Sequence, residues 1–210
     1  MSNWERFIDT FFNAQVMARY LPDILYGTLI TIQLAALVIA SGLVAGLALA
    51  LLRSLGLRPV NLLIVFIYFG LPTAGISPSS FASTWLSLTL VLMAFSEEIF
   101  WAGIISIPKG QWEAARSTGL SYGQALLNVV LPQALRLTIP PLTNRTIAIT
   151  KGTALGSVVA LSEILGMASS AVSNSYNPSP LTLGAAAYVI LFLPMVVLGR
   201  WLETRMRWKR

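Results

Sequence analysis

The charged side chains inside long apolar segments are the residues of this chain best suited to act on a solute. Glu97 and Glu98 are adjacent within an apolar run at 85–107. Lys151 and Glu163 lie in a later run, which is the most polar of the apolar segments. Because a charge in hydrocarbon is costly, such residues face a protein interior or a water-filled path. We therefore predict a polar path through a membrane, lined by Glu98, Lys151, Thr153, Ser157 and Glu163.

The composition is that of an integral membrane protein. Of the 210 residues, 56% are hydrophobic and only 10% are charged, whereas a soluble domain carries roughly 25% charged residues. The chain has no cysteine and no histidine, which excludes disulfides, zinc sites and Ser-His or Cys-His catalysis. It also lacks the G-x-x-x-x-G-K-[ST] run that holds ATP phosphates. We expect no enzyme activity, metal or cofactor in this chain.

Apolar segments predict an all-α membrane protein with five spans. The first, 24–52, has no charge over 29 residues, more than the roughly 20 that cross hydrocarbon. Its Gly42 and Gly46 permit a close helix contact. The second, 59–76, is marginal because it has only 18 residues. Three further spans and two loops complete the prediction: spans at 85–107, 142–165 and 181–198, and loops at 77–84 and 166–180.

The N-terminal residues predict an amphipathic helix that lies in the membrane interface. Over residues 3–20 the apolar side chains fall on one side and Glu5, Asp9 and Asn13 on another. Pro22 is expected to separate this helix from the first span. The chain is thus divided into an interfacial helix at 1–22, a transmembrane domain at 23–200 and a basic cytoplasmic tail at 201–210.

The distribution of lysine and arginine predicts the orientation. With five spans and the N-terminus outside, ten of the 14 basic residues lie inside, two lie outside and two lie within a span. Such an excess is typical of cytoplasmic loops. The net charge of +6 therefore indicates topology and contacts with anionic membrane lipid, and we expect no nucleic-acid partner.

A polar run at 107–136 separates the third and fourth spans. It contains Glu113-Ala114-Ala115, then Gly119 after three residues and a Val-x-Leu-Pro sequence that ends in Leu131-Pro132. Proline at 108 ends the preceding helix, and Gly119 suits a left-handed C-terminal cap. Ser121 is a possible N-cap for a second short helix. The run therefore predicts a helix–turn–helix elbow on the protein surface.

This spacing resembles the EAA loop of bacterial ABC importer permeases. The surrounding sequence, from I-P-K-G-Q-W-E-A-A to L-P-Q-A-L-R and K-G-T-A-L, is similar to polar amino-acid permeases. The resemblance implies the type I importer permease fold in a bacterial inner membrane. It also implies a knob that docks on an ATPase, formed by Glu113, Ala114, Ala115, Gly119, Leu131 and Pro132. The expected partners are two ATP-binding subunits, a second permease chain in a homo- or heterodimer, and a periplasmic or lipoprotein substrate-binding protein.

The sequence departs from this family at three places. Gly152 stands where the family usually has Asp or Asn, and Trp101 stands where Arg is common. A segment that relatives place before I-Y-F-G-L-P is missing, which suggests a shortened second span. The resemblance implies that a polar amino acid or a similar amino compound is transported.

Other interpretations of the charged residues remain open. The membrane-embedded charges also suit a secondary transporter or channel that works without ATP, and a non-transporting scaffold is a third reading. Lys151 and Glu163 are equally consistent with polar contacts between spans, and Glu113 with favourable electrostatics at a helix start.

Overall fold

The structure is a computed structural model that describes residues 2–55 and 79–206, and these residues form helices and connecting turns. The second predicted span, 59–76, and the end of the tail lie outside the described residues. A π-helical segment covers Leu126–Val130, and a 3₁₀ segment covers Gly152–Val159. The α-helices in chain order are α1 (Asn3–Phe11), α2 (Ala14–Ser54), α3 (Ser80–Ile105), α4 (Lys109–Ser117), α5 (Tyr122–Ala125), α6 (Leu131–Lys151), α7 (Ile164–Ser175) and α8 (Ser179–Met206).

Four helical runs in the described ranges are long and apolar enough to cross a membrane. They are Asn3–Ser54, Ser80–Ile105, Tyr122–Val159 and Ser179–Leu202. The first and fourth contain the spans predicted at 24–52 and 181–198, and the second covers the span predicted at 85–107 except its last two residues. The all-α membrane fold expected from the sequence is therefore confirmed.

The expected break at Pro22 is wrong. The chain breaks earlier, where the Asn13 side chain accepts a hydrogen bond from the Val16 amide at 3.0 Å and starts α2. Pro22 then lies inside α2. Proline removes one backbone hydrogen bond, but a long packed helix absorbs that loss.

The span predicted at 142–165 is also wrong in its limits. Helix α6 begins at Leu131 and runs through Pro140 and Pro141 to Lys151. The helix then tightens into the 3₁₀ segment, and the chain turns at Ala160, which has a φ of 56°. The residues predicted as a loop at 166–180 instead form most of α7 and the start of α8.

Two smaller corrections concern helix ends. The loop predicted at 77–84 is helical from Ser80, because the Ser79 hydroxyl accepts a hydrogen bond from the Ala82 amide at 3.2 Å and caps α3. At the other end of the chain, α8 continues to Met206, into residues that were predicted as a tail. Both errors arise because the helix ends contain polar residues, and hydrophobicity alone predicts loops at polar residues.

The core lies between α2 and α3. Gly42 contacts Leu92, and a Cβ on Gly46 would lie 2.6 Å from the Cβ of Ser96. Real Cβ atoms do not approach so closely, so these positions must lack side chains for the two helices to meet. The glycine pair therefore serves packing within the chain. Around it lies a cluster of buried apolar residues: Leu34, Val38, Leu88, Leu92, Ile149 and Leu161.

Candidate functional site

The elbow predicted at 107–136 is present. Helix α4 ends at Ser117, and Gly119 follows with a φ of +88°, a conformation that glycine adopts without strain. The Ser121 hydroxyl then caps α5, and the Gln124 side-chain oxygen accepts a hydrogen bond from the Ser121 backbone N–H at 2.9 Å. The predicted turn and cap are therefore confirmed at these residues.

The residues of the elbow divide between an outer and an inner side. Glu113, Ala114 and Gly119 are exposed, whereas Ala115 is buried against the body of the protein. The exposed side forms a shallow depression of about 300 Å³. It carries two basic and one acidic side chain beside two aromatic rings, from Lys109, Trp112, Glu113, Arg116 and Tyr122. This side can contact another protein through both charge and aromatic surface.

The two aromatic rings of the depression, with the residues beneath them, hold the elbow on the helices. Trp112 stacks on Tyr122 with ring centroids 5.0 Å apart. The Tyr122 hydroxyl donates to the Ser54 carbonyl at the end of α2, at 3.0 Å. Beneath the rings lies an apolar cluster made of Ile104, Ile107, Leu126, Val130 and Ala134. Because α2, α3 and α6 all reach this cluster region, a force on the elbow acts on several spans at once.

The last two residues of the motif start α6. Leu131 is partly buried and Pro132 is exposed in the first turn, where proline needs no hydrogen-bond partner. Next to them, the Gln133 side-chain amide donates to the Gln111 side-chain oxygen at 3.3 Å and to the Val129 carbonyl at 2.8 Å. The start of α6 is thus tied back to α4.

The predicted path residues divide into a first group that is exposed and a second group that is buried or partly buried. Glu98 and Lys151 are exposed, and Lys151 lines a cleft of about 340 Å³ between α6 and α8 together with Asn144 and Arg200. Thr153 is completely buried and Ser157 is partly buried. Glu163 belongs to the second group, because none of its surface is exposed.

Glu163 has a full set of hydrogen-bond donors. Its carboxylate accepts from the amides of Leu165 at 3.0 Å and Gly166 at 2.7 Å, which caps α7. It also accepts from the Tyr188 hydroxyl on α8 at 2.6 Å. Sequence reasoning missed Tyr188, whose phenol within an apolar span was the only signal. In this conformation Glu163 fastens α7 to α8.

The adjacent carboxylates of α3 have separate environments. Glu97 is buried and forms an ion pair with Arg53 of α2 at 2.9 Å, which confirms that at least one of the two faces the protein interior. The Arg53 guanidinium also lies over the Trp101 ring, 4.7 Å from its centroid. Sequence reasoning assigned Arg53 to topology alone. Trp101, which stands where the resemblance expects Arg, is thus an aromatic partner for an arginine from another helix.

Comparison with known proteins identifies the family. Residues 42–208 match the family described as the inner membrane component of binding-protein-dependent transport systems. This chain belongs to that family. It is therefore a multi-pass membrane permease of an ABC transporter assembly, a transport subunit that is not an enzyme.

Relatives of this permease share most of its length. The probable glutamine ABC transporter permease protein GlnP of Bacillus subtilis (strain 168) is 35% identical over 208 residues, covering 96% of this chain and 92% of the relative. GlnM of the same organism, also a probable glutamine permease, is 33% identical and covers 84% and 89%. The arginine transport system permease ArtQ of Bacillus subtilis (strain 168) is 30% identical and covers 89% and 94%.

Solved structures share the fold of the permease. A chain from the crystal structure of an amino acid ABC transporter with histidines has a TM-score of 0.76 and 29% identity, covering 90% of this chain and 96% of that one. A chain of the inward-facing MetNI methionine ABC transporter has a TM-score of 0.65 and 19% identity, with 94% and 99% covered. The second likeness concerns the fold alone.

Proposed function

We propose that this permease moves a polar amino acid, or a similar small amino compound, into the cell. ATP hydrolysis in partner subunits drives the movement. The relatives that support this substrate class are named for glutamine and arginine transport and cover almost the whole chain. The observation that carries the mechanism is the firmly held elbow with an exposed outer side.

The elbow is the docking element for the ATPase in this proposal. Glu113, Ala114 and Gly119 contact the partner, and Ala115 supports them from the inner side. Leu131 and Pro132 carry the movement into α6. The bond from Tyr122 to the end of α2 supports this role, because it joins the elbow to a second span.

The translocation path runs beside α3, α6 and the 3₁₀ segment. Glu98 and Lys151 face it with their exposed side chains, and the 340 Å³ cleft beside Lys151 has room for a small solute. Thr153, Ser157 and Glu163 form the wall behind it. An ATP-independent channel gains no support from Glu97, whose charge is neutralised by Arg53.

The assembly in this proposal contains two ATP-binding subunits, a second permease chain and an external substrate-binding protein. The N-terminus lies outside the cell and the C-terminus in the cytoplasm. One face of α8 is left uncovered by the described part of the chain, with Val189, Ile190 and Leu193 exposed. This face is available to lipid and to the second permease chain.

A pair of glycine variants tests the docking element. A Cβ would meet nothing within 4 Å at either Gly119 or Gly123, but only Gly119 has a positive φ. We expect Gly119→Ala to lower both ATPase co-purification and substrate-stimulated ATP hydrolysis, because the left-handed turn is strained by a side chain. Gly123→Ala, with the same added methyl group, serves as the control. Wild-type coupling in Gly119→Ala would show that the turn does not position a docking surface.

A charge reversal separates docking from folding. Glu113 and Asp23 are both exposed, and they lie on the elbow and near the start of α2. Glu113→Lys should abolish ATPase co-purification with an unchanged melting temperature, whereas Asp23→Lys should retain the ATPase. Equal effects of the two changes would contradict the docking role.

Uptake into proteoliposomes tests the substrate and the energy source. The assembled transporter should accumulate one or a few members of an amino-acid panel only when ATP is present on the ATPase side. Accumulation driven by an ion gradient without ATP would instead support the secondary transporter.

The absence of cysteine allows a direct test of orientation. Single cysteines at the exposed positions Ser173 and Gly110 can be read without background. An impermeant thiol reagent on whole cells should label position 173 and leave position 110 unlabelled. Labelling of position 110 would reverse the proposed orientation.

A further inference from the structure

Helix α1 carries an aromatic face that the rest of the chain leaves uncovered. Trp4 stacks on Phe7 with ring centroids 5.7 Å apart, and Phe7 contacts Phe11 at 5.2 Å. These three side chains are exposed by 69%, 46% and 40%. Ile8 and Phe12 extend the same face. So large an exposed apolar surface on one short helix requires a covering phase or partner.

The first turn of α1 is stabilised by its own side chains. The Ser2 hydroxyl accepts from the Glu5 amide at 3.2 Å, and the Glu5 carboxylate accepts from the Ser2 amide at 2.8 Å. This capping box fixes the first turn. A nine-residue helix is marginal alone in water, so its persistence depends on the contacts at its other end.

A polar clasp holds the end of α1 on the start of α8. The Ser179 hydroxyl accepts from the Asn13 amide at 2.9 Å and lies 3.1 Å from the Thr10 carbonyl. The Asn177 side-chain amide donates to the Asp9 backbone carbonyl at 3.0 Å. These bonds join residues more than 160 positions apart in sequence. These bonds fix the position of the end of α1 along the membrane normal relative to the start of α8.

The height of α8 in the bilayer follows from its own sequence. Residues 181–199 carry no charge and end at Arg200. As a helix they rise about 28 Å, which matches the roughly 30 Å of a hydrocarbon core. Ser179 precedes this run by two residues, so the clasp lies at the edge of the hydrocarbon. Helix α1 therefore ends at the edge of the hydrocarbon and not at a distance above the membrane.

We propose that α1 lies flat in the headgroup region, with Trp4, Phe7 and Phe11 inserted among the lipids. Tryptophan and phenylalanine favour this depth, where an apolar ring meets the upper acyl chains. The polar side of α1 carries Glu5, Arg6 and Asp9, which gives it no positive excess. Binding is therefore driven by apolar burial and does not depend on anionic lipid. The clasp thus holds the end of α1 at the depth of the start of α8.

Site-directed spin labelling tests this depth directly. The assembled transporter, in nanodiscs of neutral phospholipid, carries a single nitroxide at Phe7→Cys, on the aromatic face of α1, or at Arg6→Cys, on its polar side about 100° away around the helix. Collision with oxygen reports lipid, and collision with a water-soluble nickel chelate reports water. We expect the oxygen-to-nickel ratio to be several-fold higher at position 7 than at position 6. Equal ratios at the two positions, or water access at both, would overturn the proposal.

Two further arms separate lipid from other occupants. Replacing part of the neutral lipid with phosphatidylglycerol should leave the depth of position 7 unchanged, and a depth that appears only with anionic lipid would contradict apolar binding. Protection of position 7 that requires the substrate-binding protein would identify a protein-docking face instead. Ser179→Ala, which opens the clasp, should increase the mobility of the label at position 7. Because depth is read without uptake or ATP, these results do not depend on the transport proposal.

Discussion

Removing the Glu163 carboxylate is expected to loosen the membrane domain more than any other single polar change among the predicted path residues. Three donors converge on it, at 2.6, 2.7 and 3.0 Å, and none of its surface is exposed. A hydrogen bond to a charged acceptor contributes about 1.5–3 kcal/mol, and the terms are not fully additive. Glu163→Ala should therefore lower the free energy of unfolding by about 3–5 kcal/mol.

Variants that remove only part of this hydrogen-bond set should lose less stability. Tyr188→Phe deletes one of the three bonds and should cost about 1.5–2 kcal/mol, because the cap of α7 survives. Glu163→Gln keeps one acceptor oxygen and should fall between Tyr188→Phe and Glu163→Ala. Thermal unfolding of the purified transporter in detergent, followed by intrinsic fluorescence, should rank the variants in that order.

The double variant gives the sharpest test. In Glu163→Ala the Tyr188 hydroxyl loses its partner, so adding Tyr188→Phe should cost nothing more and can restore stability. Additive losses in the double variant would show that the two groups act independently, contrary to the 2.6 Å contact. If Glu163→Gln abolished uptake at an unchanged melting temperature, the side chain would act on the solute and not as a fastener.

The remaining predictions concern the helix contacts. Gly46→Ala would place a Cβ 2.6 Å from α3 and should cost about 1–3 kcal/mol; Gly152→Ala meets only an ordinary 3.6 Å contact and is the control for melting temperature. Arg53→Ala leaves buried Glu97 unpaired and should lower the melting temperature, and a second change, Glu97→Gln, should recover part of the loss. Tyr122→Phe should weaken ATPase stimulation by substrate without changing the melting temperature, because it removes only the bond to α2.

The sequence was sufficient where local chemistry decides the structure. Gly119 and Ser121 predicted the turn and the cap of the elbow, since the conformations they favour depend on the residues themselves. Long apolar runs likewise predicted the first, third and fifth spans, of which the first and fifth carry no charge. The resemblance to the EAA loop supplied the candidate docking residues, of which Glu113, Ala114 and Gly119 are exposed on the elbow.

Contacts between distant residues could not be predicted in the same way. Pro22, Pro140 and Pro141 looked like helix ends, but packing against neighbouring helices keeps α2 and α6 continuous. Residues 166–180 looked like a loop because they are rich in serine and asparagine, yet the buried Glu163 caps a helix there. Its partner Tyr188 is 25 positions away, beyond the reach of any local pattern.

The 3₁₀ segment after Lys151 is longer along its axis than an α-helix of the same residues would be. Its eight residues rise about 2.0 Å each in 3₁₀ form and about 1.5 Å each in α form. Conversion of the whole segment would shorten it by about 4 Å and rotate its far end by about 160°. Buried Thr153 and Gly156 would leave their present contacts in that change. Such a conversion would change the length and the facing side of the chain at this one segment, and α6 would keep its shape.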